Sequence, residues 1–468
     1  MRTLSRRDFL QWSAAGAGLL LSGCASVRVP EAASEALPEL VLRDDPRYAT
    51  LRHGYNTRID THPYAIALCR NTAEVAATIR YARHLDLPVA VRSGGHSMEG
   101  FSSNDDGLVI DLSLINQVQL QADGSAHVGP GCKLAALYDA LLPQGRLLPA
   151  GSCGSVGIGG LTLGGGYGFF SRRYGLTCDH LRAATMVDGR GEIRSTRDDT
   201  ELLWALRGGG AGNFGVVTSL EFETRPVPEL FHSHRFRVHR LGAVDAAKWF
   251  ERWFAFAEQL PETAFSACLL SGRTLYVLIT NFASDDAEVA ALLAKLAQGA
   301  EPVDSDHRAD VGNALKRYYG SLEPLPFKNA SAGFYRSFAD IEGVIEPVLK
   351  TVIDTPGLIY QVNTVGGQID DPALSAVSCY PHRRFGFISE LQAYWQRPEQ
   401  QAGLMQANTQ IQERIRANGI QAQYVNYCSR DFPQWWLAYY GDNYARLQAV
   451  KRHYDPDDRI RHPQSVRG

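Results

Sequence analysis

Two residues in glycine-rich surroundings carry groups able to form covalent bonds. Cys153 stands near the front of the stretch 151–168, GSCGSVGIGGLTLGGGYG, in which nine of eighteen residues are glycine. His96 closes a tight turn, Ser93-Gly94-Gly95-His96. A thiolate is a nucleophile, and a neutral imidazole has a free lone pair. Taken singly, each has a plainer reading: a buried thiol, and a histidine at a turn. The glycines argue for more. Glycine loses more backbone freedom on folding than any other residue, so a dense run must be compensated. A flexible linker would be rich in Ser, Pro and charge. Here the gaps hold Val156, Ile158, Leu161, Leu163 and Tyr167, which want burial. The run reads as backbone pressed against a ligand, where side chains would be in the way.

The elements that must hold these residues alternate between short strands and helices. A strand over 63–68 leads into a helix over 72–85, with Thr72 as its N-cap. A strand over 87–92 delivers the chain to the His96 turn, and strands over 107–111, 118–120 and 126–128 precede a helix over 133–142. Residues 181–195 form a strand pair around an Asp188-Gly189-Arg190-Gly191 turn. A helix over 200–206 and a strand over 216–223 flank Gly210-Ala211-Gly212-Asn213-Phe214-Gly215, which matches GxGxxG. A dinucleotide fingerprint follows a strand and opens a helix. The order here is reversed, so the match carries little weight. Beyond Arg225-Pro226-Val227-Pro228 the chain reads as a second α+β unit, with helices over 243–259 and 286–297, a strand over 275–280 and a loop-rich stretch over 320–335. The tail carries an amphipathic helix over 435–452 and a turn at 454–458.

The chain has 468 residues, room for two or three domains, and its 45% hydrophobic and 21% charged content is that of a globular protein. A net charge of -3 and the lack of a long basic run give no reason to expect nucleic acid as a partner. The eight cysteines are scattered, with no CxxC pair and no zinc spacing, so no metal is expected. Ser5-Arg6-Arg7-Asp8-Phe9-Leu10 resembles a twin-arginine export motif, followed by a short apolar stretch over 14–21. Leu21-Ser22-Gly23-Cys24 resembles a bacterial lipobox. Cleavage there and acylation of Cys24 would make a periplasmic or membrane-anchored lipoprotein; a plain cleaved signal is the alternative. Residues 25–40 read as a tether.

Three ordered motifs carry a resemblance to a known family. Arg92-Ser93-Gly94-Gly95-His96-Ser97 resembles the flavin-attachment loop of FAD-linked oxidases of the vanillyl-alcohol-oxidase type. Ala150-Gly151-Ser152-Cys153, followed by Val156-Gly157-Ile158-Gly159-Gly160 and Gly164-Gly165-Gly166-Tyr167-Gly168, resembles the second attachment motif of the berberine-bridge-enzyme-like branch. Tyr424-Val425-Asn426-Tyr427, Tyr440 to Tyr444, and the stretch from Tyr454 to Ser465 resemble that branch's C-terminus. The resemblance runs from about residue 40 to the end of the chain.

It implies an α+β fold: a two-subdomain, PCMH-type FAD-binding domain over 41–227, an α+β substrate domain with an antiparallel sheet over 228–420, and a segment over 421–468 returning to the FAD domain. Residues 1–23 would be the signal and 24–40 the tether. It also implies FAD joined through its 8α-methyl to His96 and through C6 to Cys153. Arg92, Ser93, Gly94, Gly95, Ser97, Val156, Gly157, Gly159, Gly160, Gly212, Val217, Asn443, Tyr444 and His462 would complete the cofactor site, with main-chain amides of 93–95 and 157–160 facing pyrophosphate and flavin. The reaction implied is hydride transfer from an alcohol to flavin N5 while a base takes the hydroxyl proton. The substrate is a small molecule: a sugar or oligosaccharide, or a secondary metabolite. Val156, three residues after Cys153, resembles the arrangement that admits dioxygen, which implies hydrogen peroxide as product. The implied base is Tyr424. On a strand, Tyr424 and Tyr427 would face opposite ways, which favours Tyr424. Glu390, in a strand-like run ending at Trp395, is the second candidate, its alternative being a solvent-facing glutamate. Dehydrogenase, amine-oxidising or ring-closing activity, and a degenerate ligand-binding lipoprotein, are the rival readings.

Overall fold

The computed structural model describes residues 36–303 and 307–468. The export motif, the lipobox and residues 25–35 of the tether fall outside the described residues. The last residues assigned to the tether do not trail: Glu39–Leu42 is a strand, antiparallel to Ala65–Leu68.

The first sheet runs in the order Glu39–Leu42, Ala65–Leu68, Leu108–Asp111, Val89–Arg92, its last two pairings parallel. Helix Thr72–His84 covers it, setting Val75, Ile79 and Ala82 against Ala67, Val89, Leu108 and Ile110. The helix is capped one residue earlier than the sequence suggests. Asn71 accepts the Glu74 N–H, and Thr72 instead donates its hydroxyl to Thr218. A second, antiparallel sheet orders Val118–Leu120, Ser125–Val128, Gly215–Glu223, Leu181–Asp188 and Ile193–Ser195.

The third sheet is antiparallel throughout. Its long strands run in the order Phe231–Val238, Thr274–Asn281, Ala264–Ser271, Leu358–Thr364, Phe387–Tyr394, Phe327–Tyr335. Helices Ala243–Ala257, Glu342–Asp354 and Gln400–Ala417 bury Phe250, Trp253, Leu349 and Ile411 in a shared core with it. Strands alternate their side chains, so the opposite face is free to line a site. The expectation of loop over 320–335 is overturned by strand Phe327–Tyr335, every residue of which is buried. Its polar residues misled because they are paired inside: Lys328 meets Glu99 and lies 3.1 Å from Asp431, while Asn329 donates to the Tyr394 hydroxyl at 2.8 Å.

The C-terminal segment returns to the first half of the chain. Tyr440, Leu447, Val450 and Val466 share a core with Leu134, Leu163 and Phe214. The Val89 N–H donates to Arg459 O at 2.8 Å, and Arg461 N–H donates to Val89 O at 3.1 Å, extending the first sheet. The single helix expected over 435–452 is two, Trp435–Tyr440 and Tyr444–Tyr454. They are separated at Gly441, whose φ of +51° only glycine adopts readily. Lys451, wholly buried, ties the tail down through Asn213 O, Ile460 O and Asp455 Oδ2, each at 2.7 Å.

Candidate functional site

One cavity of about 760 Å3 collects most of the residues singled out from sequence. Strand Val89–Arg92 ends where the turn at 93–97 begins, so the first sheet presents that turn at its edge. Ser93, Gly94, Gly95, His96 and Ser97 all line the cavity. Cys153, Val156, Gly157, Gly159 and Gly160 line it from the glycine stretch, and Gly212, Val217 and His462 from the second sheet and the tail.

The glycines work as wall. Gly94 and Gly157 lie back to back, and a Cβ on Gly94 would sit 2.3 Å from Gly157 N. Gly95 takes φ +69°, a left-handed conformation. Among the described residues, the amide N–H groups of Gly94, Gly95 and His96 have no protein acceptor. Successive free amides in such a turn form an anion-binding concavity. That donor set, a cavity of this size, and two covalently competent side chains on its wall fit an FAD molecule.

His96 is stacked on Tyr55, ring centroids 3.8 Å apart, with Nε2 3.0 Å from Ser155 Oγ. Burial, and to a lesser degree the charge of Lys133, lowers its pKa to about 4, so the ring is neutral at physiological pH. The Cys153 side chain is accessible from the cavity yet lies deep in the protein. Burial, then Glu390, pushes its thiol up to about 11. Three residues assigned to the cofactor are not on this wall. Arg92 is buried in an ion pair with Asp111 at 2.7 Å, which fixes the end of its strand. Asn443 donates to Cys379 O at 2.9 Å, and Tyr444 stacks on Tyr440.

The opposite wall is the open face of the third sheet. Gln361 and Asn363, and Glu390, Gln392 and Tyr394, stand two residues apart on neighbouring strands and so share a face, with Asn329 beside them. Gln392 Nε2 donates to Glu390 Oε2 at 2.9 Å and to Gln361 Oε1 at 3.3 Å. Gln361 Nε2 donates to Asn363 Oδ1 at 2.7 Å, and Asn363 Nδ2 donates to the Tyr167 hydroxyl at 3.1 Å. The solvent-facing alternative for Glu390 is excluded. It is buried on this wall, and burial, opposed by hydrogen bonds from Gln392 and Asn329, raises its carboxyl to about 7.

Tyr424 and Tyr427 both reach the cavity, contrary to the strand-based expectation. Residues 425–427 form a short 3-10 turn, whose three-residue period brings positions three apart to one side. Their ring centroids are 5.0 Å apart. The Tyr424 hydroxyl accepts from Gly166 N at 2.9 Å and from Asn426 Nδ2 at 3.0 Å. Burial raises its pKa, and those two donated hydrogen bonds oppose the rise. The Tyr427 hydroxyl pairs with that of Tyr167 at 2.7 Å, and burial raises it well above the usual phenol range. Asn329, Gln361, Asn363, Gln392 and Tyr55 line the cavity without having been singled out by any sequence motif. A polar residue at every second position of an otherwise apolar strand, as at 361 and 363 or 390 and 392, is the signal that marks three of them, Gln361, Asn363 and Gln392.

The chain matches known proteins along its length. The FAD binding domain family matches residues 63–197, and the family described as berberine and berberine like matches residues 423–467. A chitooligosaccharide oxidase of Gibberella zeae is 30% identical over 88% of this chain and 89% of its own length. An uncharacterized FAD-linked oxidoreductase of Bacillus subtilis is 28% identical over 91% of this chain and 96% of its own. Among solved structures, aclacinomycin oxidoreductase superposes with a TM-score of 0.83 at 26% identity, covering 92% of this chain and all (100%) of that one. A solved chitooligosaccharide oxidase gives 0.82 at 25% identity, over 92% of this chain and 97% of that one.

Proposed function

The chain belongs to the berberine-bridge-enzyme-like FAD-linked oxidoreductases, and on that premise we propose that it is an alcohol oxidase whose flavin is held by two covalent bonds, through His96 and Cys153. When bound, the flavin supplies the hydride acceptor. The observation that carries the reading is the convergence of His96, Cys153 and Glu390, whose carboxyl burial raises to about 7, on one cavity. Two covalent groups alone would hold a cofactor; a base poised near neutrality beside them makes the cavity a site for removing a proton and a hydride from the same substrate.

Glu390 takes the substrate's hydroxyl proton. Burial raises its carboxyl to about 7, into the range in which a general base is effective near neutral pH. Tyr424 orients the same hydroxyl. Its oxygen already receives two hydrogen bonds, so its own hydrogen is directed to a third partner. The carbon that loses the proton's partner hydride becomes a carbonyl. Dioxygen then takes two electrons and two protons and leaves as hydrogen peroxide; the small side chain of Val156 on the cavity wall, three residues after Cys153, supports this part of the reading. Four carboxamides, Asn329, Gln361, Asn363 and Gln392, on the substrate wall suit a molecule with many hydroxyl groups, and the likeness to a chitooligosaccharide oxidase supports a sugar or oligosaccharide oxidised at its anomeric carbon. Export by the twin-arginine route with acylation at Cys24 belongs to the same proposal, and the mass of the mature N-terminus tests it.

The test is a screen of sugars beside hydroxylated aromatics, read by peroxide release. Peroxide with sugars is expected. A reduced enzyme that stays reduced in air-saturated buffer would make it a dehydrogenase. A chromophore that acid precipitation separates from the protein would remove the covalent bonds.

A further inference from the structure

The imidazole of His96 is held by a ring stack and by a hydrogen bond at Nε2. Tyr55 covers one face of the ring, centroids 3.8 Å apart and planes 20° from parallel. Tyr55 is itself pinned at both ends. Its N–H donates to Gly95 O at 2.9 Å, and its hydroxyl donates to Ser321 O at 2.7 Å. Ser155, buried, lies 3.0 Å from His96 Nε2 and donates its hydroxyl hydrogen to the same Ser321 O at 3.4 Å. A hydroxyl has one hydrogen, and a carbonyl oxygen can only accept. With that hydrogen on Ser321 O, the Ser155 oxygen is left as acceptor toward His96, and Nε2 must carry the ring's hydrogen. A neutral imidazole carries only one, so Nδ1 is the nitrogen with the lone pair.

From this we infer that Ser155, held by the Ser321 carbonyl, is a positioning residue that fixes the Nε2–H tautomer of His96 and so selects Nδ1 as the nitrogen that bonds to the flavin. The inference rests on the covalent attachment proposed above. His96 Nδ1 forms a bond to the 8α carbon, and one carbon–hydrogen bond of the 8α-methyl breaks. That hydrogen leaves as a proton, and its electron pair stays in the flavin. Once Nδ1 is alkylated the ring releases its Nε2 hydrogen as a second proton. Dioxygen, the oxidant of the proposed activity, takes the electron pair and two protons as hydrogen peroxide, which restores the oxidised flavin. Ser155 is unchanged throughout. Without it the ring samples both tautomers and rotates about its own axis, and the productive arrangement is met less often.

The experiment follows flavin attachment site by site. Cells expressing wild type, Ser155→Ala, Ser155→Thr and Ser155→Val are sampled through expression, and the protein is digested. The flavin mass gained by the His96 peptide is compared with that gained by the Cys153 peptide. Loss of one hydrogen bond of ordinary strength is expected to slow the His96 adduct about tenfold in Ser155→Ala and Ser155→Val. Ser155→Thr, which keeps the hydroxyl, restores it, and the Cys153 adduct forms at the wild-type rate in all four. A His96 adduct at the wild-type rate in Ser155→Ala overturns the inference. Equal slowing at both peptides also overturns it, because that is general damage to the site. A wild type with no flavin on the His96 peptide overturns this inference together with the covalent reading beneath it.

Discussion

Replacing Glu390 by Gln should make the protein more stable and less active, by amounts that depend on pH. The carboxyl is buried on the cavity wall, and burial has moved it from an ordinary 4.5 to about 7. Ionising it in place therefore costs about 3 kcal/mol, at about 1.4 kcal/mol for each pH unit. The unfolded chain ionises near 4.5 and the folded chain near 7. Between these values the folded state holds one proton more, so stability falls as pH rises through that window and is level above it. Glutamine has no such ionisation. Glu390→Gln should match the wild type at pH 4 and exceed it by about 2 to 3 kcal/mol at pH 8. The lower figure allows about 1 kcal/mol because Asn329 Nδ2, 3.4 Å from Oε1, loses its charged acceptor. Urea midpoints of the flavin-loaded proteins at pH 5 and pH 8 measure this. In parallel, kcat/KM of the wild type should rise through about pH 7 with one ionisation. The variant should be about 100- to 10,000-fold slower and lack that rise, the range for loss of a general base. A stability gain equal at both pH values, or a pH profile that survives in the variant, would refute the assignment.

Three further predictions follow from other contacts. Tyr424→Phe removes the oxygen that takes the Gly166 N–H and Asn426 Nδ2; single-turnover flavin reduction should slow about 100-fold, and unfolding should show a cost of about 1 to 3 kcal/mol from two stranded donors. Gly94→Ala drives a Cβ to 2.3 Å from Gly157 N, so the two wall segments must part, and the purified variant should lack the flavin absorbance of the wild type. Lys451→Met leaves Asp455 charged and wholly buried, and urea unfolding should register a loss of about 3 to 5 kcal/mol, part of which Lys451→Met combined with Asp455→Asn recovers.

The fold class and most of the glycine-rich wall of the cavity were legible because both are written locally. Short apolar-rich runs at 181–188 and 216–223, bounded by turn residues, read as strands, and glycine at 94, 95, 157 and 159 marks backbone that must come close to something. The turn at 93–96 and the cysteine at 153 lie 57 residues apart, yet each sits in its own glycine context and could be read without knowing where the other was. The wall formed by the third sheet was hidden. Asn329 is on a strand that looked like a loop, since burial of polar side chains depends on partners from elsewhere, such as Tyr394. Glu390 was ambiguous for the same reason: nothing in the chain near it says whether its face meets water or a cavity.

His96, Cys153, Tyr424 and Glu390 could be named from the sequence as side chains of suitable chemistry, and the glycines as backbone close to a ligand, because residue type and spacing are local properties. The state of each group comes from what is packed around it. Burial within packed walls makes His96 neutral and brings Glu390 to about 7, a matter of desolvation that no local pattern encodes. A 3-10 turn, not a strand, puts Tyr424 and Tyr427 on the same side. Arg92, between two residues of the cavity, and Asn443 and Tyr444, within four positions of Tyr440, are held away from it by an ion pair, a hydrogen bond and a ring stack. Side-chain identity is local, but the dielectric around a side chain and the direction it faces belong to everything packed against it.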